Sequence, residues 1–308
     1  MKAQNGVNLW FLDQEDKNKL IYHRVSKEIF SVRTKFQDVQ LVRCYGLGEV
    51  LVLDNKIQSA EFDEYIYHEA LVHPAMFAHP TPKNILVLGG GEGATIREVL
   101  KHSTVEKVTM VDIDGELVEL CKKHLQKWHQ NSFFDPRCNI IYADAWDYVE
   151  NTKEKFDVII ADISDPVEGG PALNIYTKDF YQLVYNSLDE QGIFVTQAVE
   201  VFYKEEEYHS QINRTVSSVF PITESYCDFV PSFSAVWGFV IGSKKFSAIK
   251  LDEQSIADIA RTRGIKCLRY YDHETHRRLF NLPQMVRQRI EKQRLVATRD
   301  NPIKVFSS

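Results

Sequence analysis

The sequence lacks the features that mark a secreted, disulfide-stabilised or membrane-spanning protein. It has only five cysteines among 308 residues, and because none of them form a CxxC spacing we expect neither a disulfide framework nor a zinc site. No apolar run is as long as a transmembrane helix, and the first residues contain no apolar stretch typical of a signal peptide. These absences predict a cytoplasmic protein with reduced thiols and no membrane partner.

An excess of positive charge is missing as well. The formal net charge is -6, whereas a protein that binds duplex DNA is usually basic because neutralisation of phosphates drives that binding. An acidic balance is compatible with a cationic ligand instead. Basic residues do cluster over 285–294, and we interpret them as the solvated face of a helix rather than as a nucleic-acid arm. We therefore expect no nucleic-acid partner.

Strand and helix patterns are abundant, and their character changes at about residue 60. Before that point, a polar–apolar alternation over 38–42, a glycine-containing turn at 45–48 and a strand pattern over 49–53 predict a β-hairpin. After it, short apolar runs alternate with helical patterns, which predicts a parallel sheet covered on both faces. Two late strand patterns without a helix between them predict an antiparallel addition at the sheet edge. The predicted strands of this sheet are 85–88, 107–113, 139–142, 156–161, 192–196, 224–230 and 237–241.

We therefore expect an α/β protein with two domains. Residues 1–60 would form a small N-terminal β-strand domain, and residues 61–308 a Rossmann-like domain with a C-terminal extension. The larger domain would contain a mostly parallel sheet of seven strands. In such a sheet, ligands bind outside the carboxyl ends of the strands, so polar residues at those ends are the candidates for function.

A glycine cluster over 89–93 follows the first strand of this predicted sheet and precedes a helix. Its glycines, Gly89 and Gly91 among them, permit a tight turn and a close approach of a ligand to the backbone. Asp112 ends the next strand, at about the spacing where a carboxylate binds ribose hydroxyls. Together these residues predict a site for a nucleoside-type ligand, with a purely structural turn as the alternative.

Glu92, inside the cluster, bears on which nucleoside binds. A carboxylate there would repel a pyrophosphate group at the helix N-terminus and would attract an ammonium or sulfonium group. This favours an S-adenosyl compound over a dinucleotide. Asp144, at the end of the third strand, is expected to accept a hydrogen bond from the adenine amino group, to cap the helix that follows, or both.

Three acids follow the fourth strand of the sheet. Asp162, Asp165 and Glu168 lie within seven residues of one another, and such a cluster is costly unless a cation or a metal ion offsets the repulsion. No histidine lies in this segment, and a magnesium site would require a phosphate substrate that Glu92 discourages, so we expect no metal. A polyamine, which carries several ammonium groups, suits the acids better. A turn that uses Asp and Pro for conformational reasons is the remaining alternative.

A second cluster, residues 58–69, precedes the glycines and mixes acids with tyrosines. The faces of tyrosine rings can line a channel for methylene chains and ammonium groups. His68 in isolation is more typical of a structural histidine than of a catalytic base.

Three motifs together resemble the spermidine/spermine synthase family of aminopropyltransferases. They are the glycine cluster, Tyr67-His68-Glu69, and residues 162–166, and the resemblance extends from about residue 36 to residue 242. Further details resemble thermospermine synthases within this family, namely residues 58–61, 66–74, 168–171 and 195–198. The resemblance implies a small N-terminal β domain, a Rossmann-like catalytic domain of the class I methyltransferase type, and a homodimer or homotetramer.

The resemblance also implies roles for individual residues. The donor nucleoside would be bound by Gln37, Gln58, His68, Gly89, Gly91, Glu92, Asp112, Asp144 and Ala145. Asp162 would be the general base, assisted by Tyr67. The acceptor amine would be held by Tyr67, Asp162, Asp165, Glu168, Gln197 and Phe233. The family usually has tyrosine where this chain has Phe233, so one hydroxyl contact to the acceptor is absent.

The implied reaction transfers the aminopropyl group of decarboxylated S-adenosylmethionine to spermidine, giving thermospermine and 5′-methylthioadenosine. Decarboxylated S-adenosylmethionine is then a co-substrate, and no prosthetic group is needed. Spermidine, spermine and aminopropylagmatine synthases are the alternatives within the family. A small-molecule methyltransferase shares the sheet and glycine cluster but is disfavoured by Glu92 and the acids, and a non-catalytic polyamine-binding protein would need no nucleoside.

Overall fold

The computed structural model describes residues 9–16, 19–202 and 207–305, which form two β-sheets and the helices around them. The first sheet has five antiparallel strands in chain order. These strands are β1 (Leu9–Asp16), β2 (Lys19–Arg33), β3 (Asp38–Cys44), β4 (Gly48–Leu53) and β5 (Lys56–Ala60). The predicted hairpin corresponds to β3 and β4, which pair directly from Val39 opposite Leu53 to Cys44 opposite Gly48.

The second sheet has seven strands and confirms the predicted fold class. Its strands are β6 (Asn84–Gly89), β7 (Lys107–Asp112), β8 (Cys138–Tyr142), β9 (Phe156–Asp162), β10 (Leu188–Glu200), β11 (Ile222–Val230) and β12 (Ala235–Ser243). They lie in the order β11-β12-β10-β9-β6-β7-β8. Strands β6 to β10 pair in parallel, whereas β12 pairs antiparallel with both β10 and β11. The late pair therefore forms the antiparallel edge that the sequence predicted.

The central strands are apolar on both faces because helices cover both faces. Ten helices are described: α1 (Glu64–Ala78), α2 (Ala94–Leu100), α3 (Gly115–His124), α4 (Gln126–His129), α5 (Ala145–Asn151), α6 (Lys178–Ser187), α7 (Tyr208–Ser217), α8 (Glu253–Thr262), α9 (His273–Leu279) and α10 (Gln284–Lys292). Along β6, Ile85 and Val87 pack in one core with residues of α1, while Leu86 and Leu88 pack in a second core with residues of α6. This alternation follows from the two-residue period of a strand. No helix of the described residues has the length and apolarity needed to cross a bilayer.

Helix α1 was not predicted from the sequence, and its burial explains why. Thirteen of its fifteen residues are buried, so it has no polar face from which a helical period could be recognised. Charged and polar side chains, Glu64, His68 and Glu69 among them, are part of this buried surface. Each must be satisfied inside the protein, because an unpaired buried charge is strongly destabilising.

Glu69 attaches the C-terminal extension to α1. Its carboxylate accepts hydrogen bonds from the backbone N–H groups of Arg269, Tyr270 and Tyr271 at 2.8 to 2.9 Å. The buried guanidinium of Arg263 makes a second attachment by donating to the carbonyl oxygens of residues 76, 79 and 80 at the end of α1. The extension therefore packs directly against the helix that precedes the glycine cluster.

The first sheet packs against α3 and α4 through apolar side chains of β3 and β4. Leu41 and Leu51 pack in one cluster with Leu117 of α3 and Trp128 of α4. The indole N–H of Trp128 also donates to the hydroxyl of Ser59 at 2.8 Å. This packing brings the ends of β3 to β5 beside the carboxyl ends of the parallel strands.

Candidate active site

A cavity of about 520 Å³ lies at the carboxyl ends of the parallel strands and is completed by the first sheet. All the residues implied by the family resemblance line it except His68. They are Gln37, Gln58, Tyr67, Gly89, Gly91, Glu92, Asp112, Asp144, Ala145, Asp162, Asp165, Glu168, Gln197 and Phe233. The topology explains the gathering, since parallel strands bring all their carboxyl ends to one edge of the sheet.

The glycine cluster allows β6 and β9 to approach closely where they end. Gly89 has a φ of 76°, and a Cβ atom at this position would lie 2.2 Å from the carbonyl oxygen of Asp162. The same carbonyl accepts a hydrogen bond from the N–H of Gly90 at 2.9 Å. At Gly91, a Cβ atom would lie 2.9 Å from a carboxylate oxygen of Asp112. These glycines thus make room for the acids that line the cavity.

Asp162 lies at the end of β9 and is held by two hydroxyl groups. Tyr67 donates to Oδ1 at 2.8 Å, and Thr95 donates to Oδ2. Enclosure in the cavity wall raises the pKa of Asp162, and the nearby charge of Glu92 raises it further, while His68 and the two hydroxyls oppose the shift. The result is a fixed carboxyl group that is more basic than an ordinary aspartate.

Thr95 was missed by sequence reasoning. The signal that could have found it is its place in the first turn of α2, directly after the glycine cluster, where side chains face the neighbouring strand ends.

His68 does not line the cavity, contrary to the role implied by the resemblance. It follows Tyr67 on α1, and successive residues of a helix point in directions about 100° apart. Tyr67 therefore faces Asp162, while the His68 ring lies behind the cavity wall with Nε2 3.0 Å from Oε1 of Glu92. Burial alone would lower the pKa of His68, but its hydrogen bonds to Glu64 and Glu92 outweigh burial and raise the pKa to about 10.

Asp112 and Gln37 are oriented by Asp114, a residue that sequence reasoning did not single out. Asp112 accepts a hydrogen bond from the N–H of Asp114 at 2.8 Å, and the Gln37 amide donates to the Asp114 carboxylate at 2.9 Å. Burial raises the pKa of Asp112 to about 6, against the effect of that backbone hydrogen bond. Asp114 also caps α3 by accepting from Leu117 N–H, and an acid just before a helix was the available signal.

Asp144 and Ala145 lie together at the start of α5. The Asp144 carboxylate accepts hydrogen bonds from the N–H groups of Trp146 and Asp147 at 2.7 and 3.3 Å. It therefore caps the helix while it lines the cavity, and the two roles considered for it are compatible in position.

Both polar atoms of the Gln197 side-chain amide make hydrogen bonds inside the protein. Its amide nitrogen donates to Asp165 Oδ1 at 3.1 Å and to the hydroxyl of Tyr176 at 2.6 Å. Its amide oxygen accepts from the indole N–H of Trp237 at 3.1 Å and from the N–H of Val199 at 2.9 Å. Burial raises the pKa of Asp165, while the Gln197 hydrogen bond and Lys56 oppose the shift. Gln197 is thus arranged to orient Asp165.

An aromatic wall lines the same cavity as Asp165. The ring centroids of Tyr67 and Phe233 are 5.8 Å apart, and those of Phe233 and Trp237 are 5.0 Å apart. Trp237 was predicted only as part of a strand, and nothing local in the sequence indicated that its side chain lines the site. The three rings present faces and edges suited to methylene chains and to cations.

Glu168 lies in the loop after β9, at the exposed rim. Its carboxylate is 2.7 Å from Nζ of Lys304, and both side chains are exposed. The N–H of Val305 donates to the carbonyl oxygen of Pro166 at 2.9 Å. The C-terminal segment therefore holds this loop, and Glu168 is directed toward Lys304 rather than toward the buried acids.

Comparisons with known proteins agree with this architecture. Residues 64–253 match the spermine/spermidine synthase domain, and residues 9–61 match the spermidine synthase tetramerisation domain. A polyamine aminopropyltransferase from Aeropyrum pernix is 43% identical to this chain over 297 residues, which are 96% of this chain and 94% of the relative. Polyamine aminopropyltransferase 2 from Hyperthermus butylicus is 43% identical, with 94% of each chain covered.

Solved structures give the same result. Spermidine synthase from Thermotoga maritima superposes with a TM-score of 0.85 at 34% identity, covering 95% of this chain and 98% of that one. A spermidine synthase in complex with the transition-state analogue AdoDATO superposes with a TM-score of 0.86 at 34% identity, covering 95% and 97%. The family resemblance found in the motifs is therefore confirmed.

The packing at Gly89 can be tested with a matched pair of substitutions. Gly89 and Gly46 both have positive φ angles, 76° and 84°, so alanine introduces similar left-handed strain at both. Only at Gly89 would the new Cβ atom overlap a backbone oxygen, whereas nothing lies within 4 Å at Gly46. We expect Gly89→Ala to lower the free energy of unfolding by about 1–3 kcal/mol more than Gly46→Ala in chemical denaturation. Equal losses would show that close packing is not what requires glycine there.

Proposed function

This chain belongs to the spermine/spermidine synthase family, and we propose that it transfers the aminopropyl group of decarboxylated S-adenosylmethionine to spermidine, giving thermospermine and 5′-methylthioadenosine. One observation carries the proposal: the Tyr67–Asp162 pair lies in one cavity with Glu92 and Asp165. A base therefore lies in the same space as acids that suit two cationic substrates.

The donor is assigned to the glycine-cluster end of the cavity. Asp112 would bind the ribose hydroxyls, as acids at strand ends do in related sheets, and Asp144 would bind the adenine amino group. Glu92 would bind the terminal ammonium group of the donor. The extra carboxylate of intact S-adenosylmethionine would be repelled by Glu92, so the same residue both attracts the decarboxylated donor and disfavours the common methyl donor.

The proposed reaction is a direct displacement. The nitrogen of the acceptor amine attacks the aminopropyl carbon bonded to the sulfonium, the C–S bond breaks, and its electron pair stays on sulfur in 5′-methylthioadenosine. The attacking nitrogen must give up a proton, and Asp162 is the group positioned to accept it. Its raised pKa suits this role, because a more basic carboxylate is a better proton acceptor. Tyr67 and Thr95 hold the carboxylate still while nitrogen, carbon and sulfur align.

The acceptor is assigned to Asp165 and the aromatic wall. Asp165 would pair with a distal ammonium group, while Phe233 and Trp237 would cover the methylene chain. Resemblance of the 168–171 loop to thermospermine synthases supports a long acceptor such as spermidine, and Phe233 removes a hydroxyl that a shorter acceptor could use. Spermidine, spermine and aminopropylagmatine are the alternative products. A methyltransferase is disfavoured because Glu92 would repel the carboxylate of S-adenosylmethionine.

The first sheet is assigned to assembly. Residues 9–61 match a tetramerisation domain, and apolar side chains on one face of this sheet are exposed, namely Trp10, Leu12 and Tyr22, with Leu12 directly opposite Tyr22. Contiguous exposed apolar surface is typical of an interface between subunits. We therefore propose a homodimer or homotetramer built through β1 and β2.

Product analysis tests the proposed reaction. The protein is incubated with labelled decarboxylated donor and, separately, with putrescine, agmatine and spermidine, and the amines are separated chromatographically. We expect label to appear mainly in thermospermine with spermidine as acceptor. Label in spermine, spermidine or aminopropylagmatine instead would show that the corresponding alternative is the activity of the protein. If no amine became labelled, the proposal of an aminopropyltransferase activity would be wrong.

Asp162→Asn tests the assignment of the base. An amide cannot accept the proton, so kcat should fall by about 10²–10⁴-fold while the donor dissociation constant changes little. Asp165→Asn is the matched control, since it removes a carboxylate that is placed to bind rather than to take the proton. That variant should raise the acceptor KM and lower kcat much less. Near-normal turnover by Asp162→Asn would exclude Asp162 as the base.

Glu92→Gln tests donor selection. Calorimetry on the wild-type protein should show tighter binding of the decarboxylated donor than of S-adenosylmethionine, by at least about tenfold, or 1.4 kcal/mol. Glu92→Gln should abolish this preference because the repelling charge is gone. Asp112→Asn should weaken both donors alike, since both contain the ribose. Equal binding of the two donors by the wild type would contradict the role given to Glu92.

A further inference from the structure

A chain of buried charges runs from the cavity wall into the protein interior, and the cavity itself does not account for it. It begins at Glu92 and continues through His68, Glu64, Arg97 and Glu98. Only Glu92 of these residues lines the cavity. Because burying charges is costly, the presence of four buried charged residues behind Glu92 needs a physical explanation.

The contacts of His68 require a doubly protonated ring. Nδ1 lies 2.6 Å from the carbonyl oxygen of Glu64 and 3.0 Å from its carboxylate, and Nε2 lies 3.0 Å from the Glu92 carboxylate. All three partners can only accept hydrogen bonds when the acids are ionised. Both ring nitrogens must therefore be donors, which makes His68 an imidazolium ion.

Arg97 fixes the far side of this arrangement. Its guanidinium donates from Nη1 and Nη2 to the two oxygens of Glu64 at 3.0 and 2.8 Å, a bidentate pair between two buried side chains. Its Nε donates to Glu98 at 2.7 Å. Glu98 is in turn 2.6 Å from Lys101 and 3.0 Å from Nε2 of His73. From Glu92 to Lys101 the formal charges alternate in sign, so each buried charge has an opposite neighbour.

This arrangement solves an electrostatic problem in the cavity. Glu92 and Asp162 are like charges, and Glu92 raises the pKa of Asp162. Without compensation, the charged form of Asp162 would be disfavoured before a substrate arrives. The His68 imidazolium lies against Glu92 and also opposes the shift at Asp162. The groups that face the His68 ring are Glu64 and Tyr67 on α1, Glu92 in the glycine cluster and Asp162 on β9, with Arg97 of α2 behind Glu64.

We propose that Glu64 and Arg97 are positioning residues for donor binding, which hold His68 as the imidazolium that orients Glu92 toward the cavity. The proposal rests on the proposed function in one respect, namely that Glu92 binds the ammonium group of the donor. Neither residue lines the cavity. Both act through His68, and Arg97 acts through Glu64.

Glu64→Gln is the direct test, with two readouts. The nitrogen chemical shifts of isotope-labelled histidine, assigned to His68 with a His68→Gln variant, report ring protonation without any substrate. Loss of one carboxylate partner should let the ring lose its proton about one to three pH units lower than in the wild type. Calorimetry should show decarboxylated donor binding weakened about tenfold, while the acceptor KM changes little because Asp165 and the aromatic wall are untouched.

Two further variants separate positioning from folding. Glu69→Gln alters a neighbouring buried carboxylate of α1, which caps the 269–271 backbone and lies 3.9 Å from Lys101 at the far end of the charge chain. The hydrogen bonds of the His68 ring go to Glu64 and Glu92 and not to this carboxylate. This variant should lower the melting temperature yet leave His68 protonation and donor affinity in the folded protein unchanged. The double variant Glu64→Gln/Arg97→Met removes both charges of the bidentate pair, so no unpaired charge is left between them. It should show the same lowered pKa of His68 and the same weakened donor binding as Glu64→Gln.

The outcomes distinguish this inference from the proposed function. If His68 protonation and donor affinity in both Glu64 variants match the wild type, the positioning role is wrong. If Glu69→Gln weakens donor binding as much as Glu64→Gln does, the effect is one of general stability and the positioning role is again wrong. If the wild type binds no decarboxylated donor, the proposed function fails, and with it the donor-binding part of this inference. In that case, a lower pKa of His68 in both Glu64 variants would still support the arrangement that orients Glu92.

Discussion

Keeping several carboxyl groups charged beside one another in a small cavity is the constraint on which this structure depends. Enclosure raises the pKa values of Asp112, Asp162 and Asp165, and Glu92 raises that of Asp162 further. Each acid is therefore given donors of its own: a backbone N–H for Asp112, two hydroxyls for Asp162, and the Gln197 amide for Asp165. Cationic substrates would supply the remaining compensation on binding, because ammonium and sulfonium groups would offset the cost of enclosing these acids.

The backbone contributes to this arrangement as much as the side chains do. Gly89 and Gly91 lack side chains where the ends of β6, β7 and β9 meet, so Asp162 and Asp112 can lie close against the glycine backbone. Helix α1 contributes from the other side. One turn of it directs Tyr67 to Asp162 and His68 to Glu92, so adjacent residues in the sequence contact the proposed base and the proposed donor-binding acid separately.

Sequence patterns were informative where local chemistry carries the signal. Strand patterns, the glycine cluster and acids at strand ends predicted a seven-stranded sheet and a site at its carboxyl edge, because these features depend on residues close together in the chain. Helix α1 was missed since its burial hides the helical period. Gln197 was found through the resemblance, but its full set of internal hydrogen bonds indicates that it orients Asp165. Trp237 was missed because nothing local in the sequence indicates its role. Thr95 and Asp114 lie at helix starts, which is a local signal, but their partners Asp162 and Gln37 are distant in sequence.

The sequence alone was sufficient for the fold class, the family and the cationic character of the ligands, since periodicity, glycine positions and the identity of charged residues are local properties. Three-dimensional packing was needed to show which acids are paired and which partner holds each one. Tyr67 and Asp162 are 95 residues apart, and Glu64 and Arg97 are 33 apart. No local pattern encodes such contacts. The direction of His68, away from the cavity and against Glu92, follows from the rotation of α1 against the sheet, and only the folded chain shows it.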